Sequence, residues 1–285
     1  MRIPDDNKKC VVFFGVEIQD GASIKIKWGG TGFLVNVQSD KVAGMHFVYL
    51  ATARHVAAQT KGTVFYIRFN TKDGNSLEFR VGEEPTWWFH PSEAEAADVA
   101  VLALGIPLEI FKSLDVVRVD SKQFVTDSAL KAENIGAGDE VFIVGLFSYH
   151  AGNHKNIPIV RMGNIAMIPD EPVQTKDFGN MEAYLIEARS TGGISGSPVF
   201  VLKQREIGKW TVHLLGLIHG HWNIDSEKII DAISADGAIK AGVNVGIAII
   251  SPAKKILDIL NRKELADARA KLEADEIAKN SPTPD

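Results

Sequence analysis

Apolar and polar side chains alternate with a period of two in several stretches of the chain, the pattern of strands with one buried face. Ile24, Ile26 and Trp28 alternate with Lys25 and Lys27, and Phe33, Val35 and Val37 resume the alternation after Gly29-Gly30. This predicts a hairpin turning at the glycine pair. Val64–Phe69 and the alternating run Leu77, Phe79, Val81 predict a second hairpin across Thr71–Asn75. With the apolar runs Cys10–Val16, Phe47–Leu50 and Val99–Leu104, these make six or seven short strands at regular spacing, the pattern of a β-barrel. Ile106–Leu130 breaks the rhythm with Pro107 and mixed polarity and reads as a connection. A turn at Gly136–Asp139 then opens a second series: Glu140–Phe147, Ile157–Ile168, Ala183–Ala188, Pro198–Leu202, Trp210–His219 and Val243–Ile250. The polar segment Trp222–Gly242 reads as an insertion.

The period changes only after Ser251-Pro252, a hydroxyl followed by proline that suits a helix start. Ile256, Leu257, Leu260, Leu265 and Leu272 recur at near-helical spacing through Lys279. The expected organisation is therefore all-β with a long C-terminal α-helix. Residues 10–105 form the first barrel, 106–130 the connection, 131–251 the second barrel and 252–279 the helix, whose distal half is free to serve a partner or to face solvent. Ser281–Asp285 is expected to be disordered.

Composition narrows the function. The chain has 285 residues, 45% apolar and 24% charged, enough for two cores. A formal charge of -5 leaves no basic footprint for nucleic acid. No run approaches the 18 or so apolar residues of a membrane span, so no membrane association is expected. The polar start M-R-I-P-D-D-N-K-K-C lacks the apolar core of a secretory signal, and one cysteine, Cys10, forms no internal disulfide. The expectation is a cytoplasmic protein.

The chemistry concentrates in Ser190–Phe200, S-T-G-G-I-S-G-S-P-V-F. Gly192, Gly193, Gly196 and Ser197 crowd Ser195, and an apolar strand follows directly. A serine hydroxyl attacks only when a base takes its proton and N–H donors hold the oxyanion, and glycines let backbone N–H groups converge. His55, in L-A-T-A-R-H-V at the end of an apolar run, is the candidate base. Asp98, in D-V-A-V-L-A-L, is the candidate acid, with Glu93 and Glu95 competing in the same loop. The order is His, Asp, Ser, one of several convergent solutions to the triad.

T-A-x-H, D-V-A-V-L, G-x-S-G-S-P and G-T-G-F-L-V at Gly30–Val35 together resemble trypsin-like serine proteases of the chymotrypsin fold, in the compact bacterial form without disulfides. The resemblance spans roughly Gly30–Pro252. It implies two six-stranded antiparallel β-barrels and a serine endopeptidase acting on a protein or peptide through an acyl-enzyme, with no cofactor. His55, Asp98 and Ser195 would be the catalytic triad, and the N–H groups of Gly193 and Ser195 the oxyanion hole. Ile194 stands where zymogens carry an acid, which implies an enzyme folded active without cleavage or one regulated by loop ordering. Counting back along relatives puts Arg189 on the floor of the substrate pocket, unless it points outward or pairs with Glu187. Leu214–Gly220 resembles the segment that binds substrate backbone, so Ile218, His219 and Gly220 are further substrate-binding candidates; His219 could instead orient Asp98 or cap a strand end. His219-x-His221 and His150-x-x-x-His154 have metal-ligand spacings but no cysteines nearby, and no metal is expected. The alternative from another class is a catalytically vestigial chymotrypsin-fold binding or scaffold protein. The complete His, Asp and Ser set argues against it.

Overall fold

The computed structural model describes residues 3–82, 84–175, 178–188, 193–206, 208–224 and 243–280. Eight strands build the N-terminal sheet: β1 (Val11–Asp20), β2 (Ser23–Gln38), β3 (His46–Thr52), β4 (Phe65–Asn70), β5 (Ser76–Val81), β6 (Trp87–Phe89), β7 (Ala100–Ala103) and β8 (Val119–Asp120). Their order is β5-β4-β1-β2-β3-β7-β6, with β8 parallel to β2. The expected six-stranded N-terminal barrel is thus an eight-stranded sheet, and side chains join its two ends. Trp87 of β6 stacks on Phe65 of β4, centroids 6.3 Å apart and planes 26° from parallel. It also meets Phe14 of β1 edge-on at 6.3 Å. The indole N–H donates to Thr60 Oγ1 at 3.0 Å, which satisfies the polar end of a half-buried tryptophan.

One expected hairpin is instead a single strand. β2 runs straight through Gly29-Gly30, and the turn lies at 21–22, between β1 and β2, with a bulge at Phe14/Gly15. Gly30 serves close packing, since a Cβ on it would sit 2.8 Å from Val56 Cγ1, while Gly29, with open space around it, is the residue the bulge leaves unpaired. Val56 belongs to α1 (Arg54–Ala58), the short helix after β3. The hairpin across Thr71–Asn75 forms as expected, as β4 and β5. Between the two halves lie α2 (Leu108–Ser113) and α3 (Asp127–Ala132), short helices in what reads as irregular sequence.

The C-terminal half is a closed barrel of six strands: β9 (Glu140–Gly145), β10 (Ile159–Met167), β13 (Tyr184–Glu187), β14 (Pro198–Glu206), β15 (Lys209–Ile224) and β16 (Val243–Pro252). β11 (Val173–Thr175) and β12 (Gly179–Met181) form a separate hairpin that the sequence pattern did not mark. The continuous apolar runs at Glu140–Phe147 and Pro198–Leu202 follow from burial on both faces. Val141, Ile143, Val199 and Val201 fill the barrel interior. Phe142, Val144, Phe200 and Leu202 turn the other way and share one core with the N-terminal sheet. Phe142 and Phe200 stack at 4.9 Å in that layer.

The C-terminal helical segment is two helices, α4 (Ala253–Leu260) and α5 (Lys263–Asn280). Pro252 is the N-cap of α4, and Ser251 is not a capping hydroxyl: its Oγ donates to the backbone carbonyl of Asp98 at 3.4 Å. Ala253, Ile256, Ile259, Leu260 and Leu265 are buried in the shared core. The middle of α5 is tied down, since Ser39 Oγ donates to Glu273 Oε1 at 2.7 Å and Arg269 donates to the Tyr49 hydroxyl at 3.0 Å. Cys10 is a core residue whose thiol burial pushes up to about 12, so it is chemically quiet at neutral pH. No helix among the described residues is long and apolar enough to cross a membrane. Ser281–Asp285 lies outside the described residues, as does most of the Trp222–Gly242 insertion.

Candidate active site

Asp98 lies at the end of a loop leading into β7, with none of its surface exposed. A bare carboxylate in such a place would be costly, and three N–H donors converge on it. The backbone N–H of His55 donates to Oδ1 at 2.9 Å and the ring Nδ1 of His55 to Oδ2 at 2.8 Å. His219 Nδ1 donates to the same Oδ2 at 2.6 Å. Burial alone would raise the Asp98 carboxyl, but the hydrogen bonds from His219 and His55 and their charges outweigh it and hold it at about 2. His55 keeps 31% of its side chain exposed, so its remaining nitrogen, Nε2, is reachable.

The competing acids are spoken for. Glu95 binds Arg54 at 2.6 Å. Glu93 accepts from the buried Lys255 of α4 at 2.7 and 2.8 Å. Lys255 also pairs with Glu182 at 3.0 Å; burial alone would lower its pKa, but these two carboxylates outweigh it and raise it. His90 accepts from the Glu93 N–H at 3.0 Å and reaches Asp258 of α4 at 3.1 Å. The loop that presents Asp98 is therefore clamped by the C-terminal helix.

Ser195 sits in a turn closed by Ser197 N–H donating to Ile194 C=O at 2.9 Å, with Gly196 at φ +81°. A Cβ on Gly196 would lie 2.3 Å from both Thr31 O and Thr52 Oγ1 and 3.1 Å from Ala53 N. Glycine is thus required twice, for its backbone angle and for its contact. That contact presses the Ser195 turn against Thr52-Ala53, the two residues that lead into Arg54-His55. The buried Thr31, which sequence reasoning quoted within a motif and gave no role, fastens the same seam. Its N–H donates to Ser195 C=O at 3.4 Å, its Oγ1 donates to Gly193 C=O at 3.0 Å and accepts from Leu146 N–H at 3.0 Å, and its carbonyl accepts from Thr52 at 2.7 Å. The signal was its place between two glycines, where a short hydroxyl side chain fits a tight backbone crossing.

The substrate-binding candidates divide. Ile218 is fully buried in the barrel core, and its backbone exchanges hydrogen bonds with Gly196 and Ser197. Its side chain is turned into the barrel by the inward pleat of β15, and its backbone N–H and C=O are engaged within the protein. His219 is 8% exposed and spends Nδ1 on Asp98, so its ring is committed to the acid. Gly220 faces open space. Arg189 lies outside the described residues.

His55, Asp98 and His219 are also a set whose ligand atoms lie within 4.8 Å of one another. Zinc ligands at about 2.0–2.2 Å from a tetrahedral ion stand about 3.3 Å apart. The observed 2.6 and 2.8 Å are hydrogen-bond lengths, so these residues form a proton-sharing chain and not a cage shaped for a metal. His150 and His154 are exposed.

Solved structures similar to this chain include the following three. The MamO protease domain from Magnetospirillum magneticum, in its apo form, is 15% identical, with 89% of this chain and 96% of that one covered and a TM-score of 0.48. Deg5 is 14% identical over 88% of this chain and 87% of that one, with a TM-score of 0.46. Rv3671c from M. tuberculosis H37Rv, in an inactive mutant form, is 16% identical over 89% and 86%, with a TM-score of 0.44. No curated protein matches the chain. Residues 30–208 match the trypsin-like peptidase domain, a stretch that contains His55, Asp98 and the Ser195 turn, and the chain belongs to that family.

Proposed function

We propose that this protein is a serine endopeptidase that cuts peptide bonds through an acyl-enzyme formed on Ser195. The observation that carries this reading is the double grip of Asp98 on His55, through backbone N–H and ring Nδ1 together, beside a Ser195 turn seated on the residues that lead into His55. With Nδ1–H donating to an ionised Asp98, the imidazole presents an unprotonated Nε2, the tautomer a general base needs. His55 takes the Ser195 proton as Oγ attacks the scissile carbonyl, then returns it to the leaving amine. Water attacks the acyl-enzyme by the same route in reverse. The backbone N–H groups of Gly193 and Ser195 hold the developing oxyanion, each such donor contributing about 10²–10³ in rate. Beyond Leu217, β15 outruns β14 and pairs only with β16 among the described strands. The other edge beside the Ser195 turn suits an extended substrate added as a strand.

A fluorophosphonate probe tests the reading. The expected result is labelling of Ser195 that disappears in His55→Ala, with internal cuts in a peptide library. An intact fold whose Ser195 stays unlabelled would overturn it.

A further inference from the structure

We propose that His219 is a positioning residue for the Asp98–His55 pair, a second imidazole that completes the hydrogen bonding of the buried carboxylate and fixes its direction. This inference rests on the serine-protease reading above, and His219 lies outside the residues matched by the family model.

The geometry behind it is the outward face of β15, which lies on the seam. Along β15 and β16, Ile218 stands opposite Ile250 and Gly220 opposite Ile249, so the register slips by one residue at His219. Ile218 and its partner Ile250 face the barrel interior, so the next residue, His219, faces the opposite side, on which Leu217 joins the core shared with the N-terminal sheet. From that side, next to the slip in register, its ring reaches across the seam to Asp98 of the other half. There its ring is held between two others at right angles: Phe178 at 4.9 Å and His55 at 5.9 Å. Ser251, opposite Leu217 on the same strand pair, bonds the Asp98 carbonyl. The C-terminal barrel therefore holds both the main chain and the side chain of the acid that orients the base.

Chemistry fixes the protons. Oδ2 is an acceptor only, so both Nδ1 atoms within 2.8 Å of it carry hydrogen. Without His219, Oδ2 keeps one donor, and only the bonds from His55 itself, to Oδ1 and Oδ2, hold the carboxylate against the ring. The carboxylate would then hold His55 in its base tautomer for a smaller fraction of the time, which lowers kcat and leaves substrate binding in place.

The test compares three variants of the full chain. His219→Ala is expected to lower kcat about ten- to a hundredfold, the loss of one hydrogen bond to a charged group, with KM within about twofold. His219→Asn, whose amide N–H₂ falls near the position of Nδ1, is expected to restore most of it. His219→Phe keeps the ring and its packing but has no donor, and is expected to fail as Ala does. Proton NMR gives a readout independent of turnover: two far-downfield imidazole N–H signals in the parent, one in His219→Asn, and displacement of both in Asp98→Asn. Wild-type kcat in the Ala and Phe variants, or a downfield spectrum unchanged in His219→Asn, would overturn the proposal. If Ser195 proves unreactive while the two signals behave as described, the protease reading falls and the shared carboxylate stands.

Discussion

The C-terminal barrel closes through its backbone, β9 and β10 completing a ring of ladders, whereas the N-terminal sheet brings its ends together through the rings of Phe14, Phe65 and Trp87. The difference matches what each half contributes. The closed barrel holds backbone features, the Gly196 turn and the His219 bulge, whose geometry must not drift. The sheet holds side-chain partners, His55 and Asp98, and takes extra support from α4 through Lys255, Asp258 and the buried Ile256 and Ile259. Chemistry at a seam between halves needs both kinds of rigidity, and neither half contains a complete site.

The comparison can be broken from either side. The largest expected effect is Ser195→Ala, which should lower kcat about 10⁶-fold in a steady-state peptide assay while leaving the thermal transition in place. Asp98→Asn should cost about 10⁴ in kcat, because an amide in that place stabilises the wrong tautomer of His55. Gly196→Ala should destabilise by about 2–4 kcal/mol in denaturant titration, from strain at φ +81° and collision with Thr31 and Thr52, and abolish turnover. Gly62→Ala, also at positive φ but with open space around it, should cost only about 1 kcal/mol and spare activity. Trp87→Ala should destabilise by about 2–3 kcal/mol through the sheet-closing cluster and leave kcat/KM within severalfold, since no catalytic candidate touches it.

A further effect is the pH dependence of stability. Asp98 titrates at about 2 in the folded chain against about 3.9 unfolded, a depressed carboxyl. Its contribution, roughly 2 kcal/mol, is present above pH 4 and lost as pH falls toward 2. Urea titrations across that window should show the loss in the parent and a shallower slope in Asp98→Asn.

What could be read in the residues was whatever a few neighbours encode. The doubly buried runs at Glu140–Phe147 and Pro198–Leu202, the Thr71–Asn75 hairpin and the small-residue turn around Ser195 all carry local patterns, and each forms where the pattern lies. The Gly29-Gly30 pair misled because glycine marks both turns and close crossings, and only the approach of Val56 from α1 distinguishes them. Glu93, Glu95 and Asp98 are equivalent in sequence. Lys255 and Arg54 take the first two, leaving Asp98 to His55, and Lys255 lies over 150 residues away. The single long helix became α4 and α5 because apolar spacing does not report where a helix breaks.

The sequence by itself determined an all-β chain with a helical end and the three residue types of a triad, because strand alternation, glycine turns and side-chain chemistry are properties of short segments. Tertiary structure alone decided how the first sheet closes, which acid meets His55 and where His219 points. Those outcomes depend on strand register and on packing between distant segments, which no short stretch of sequence encodes.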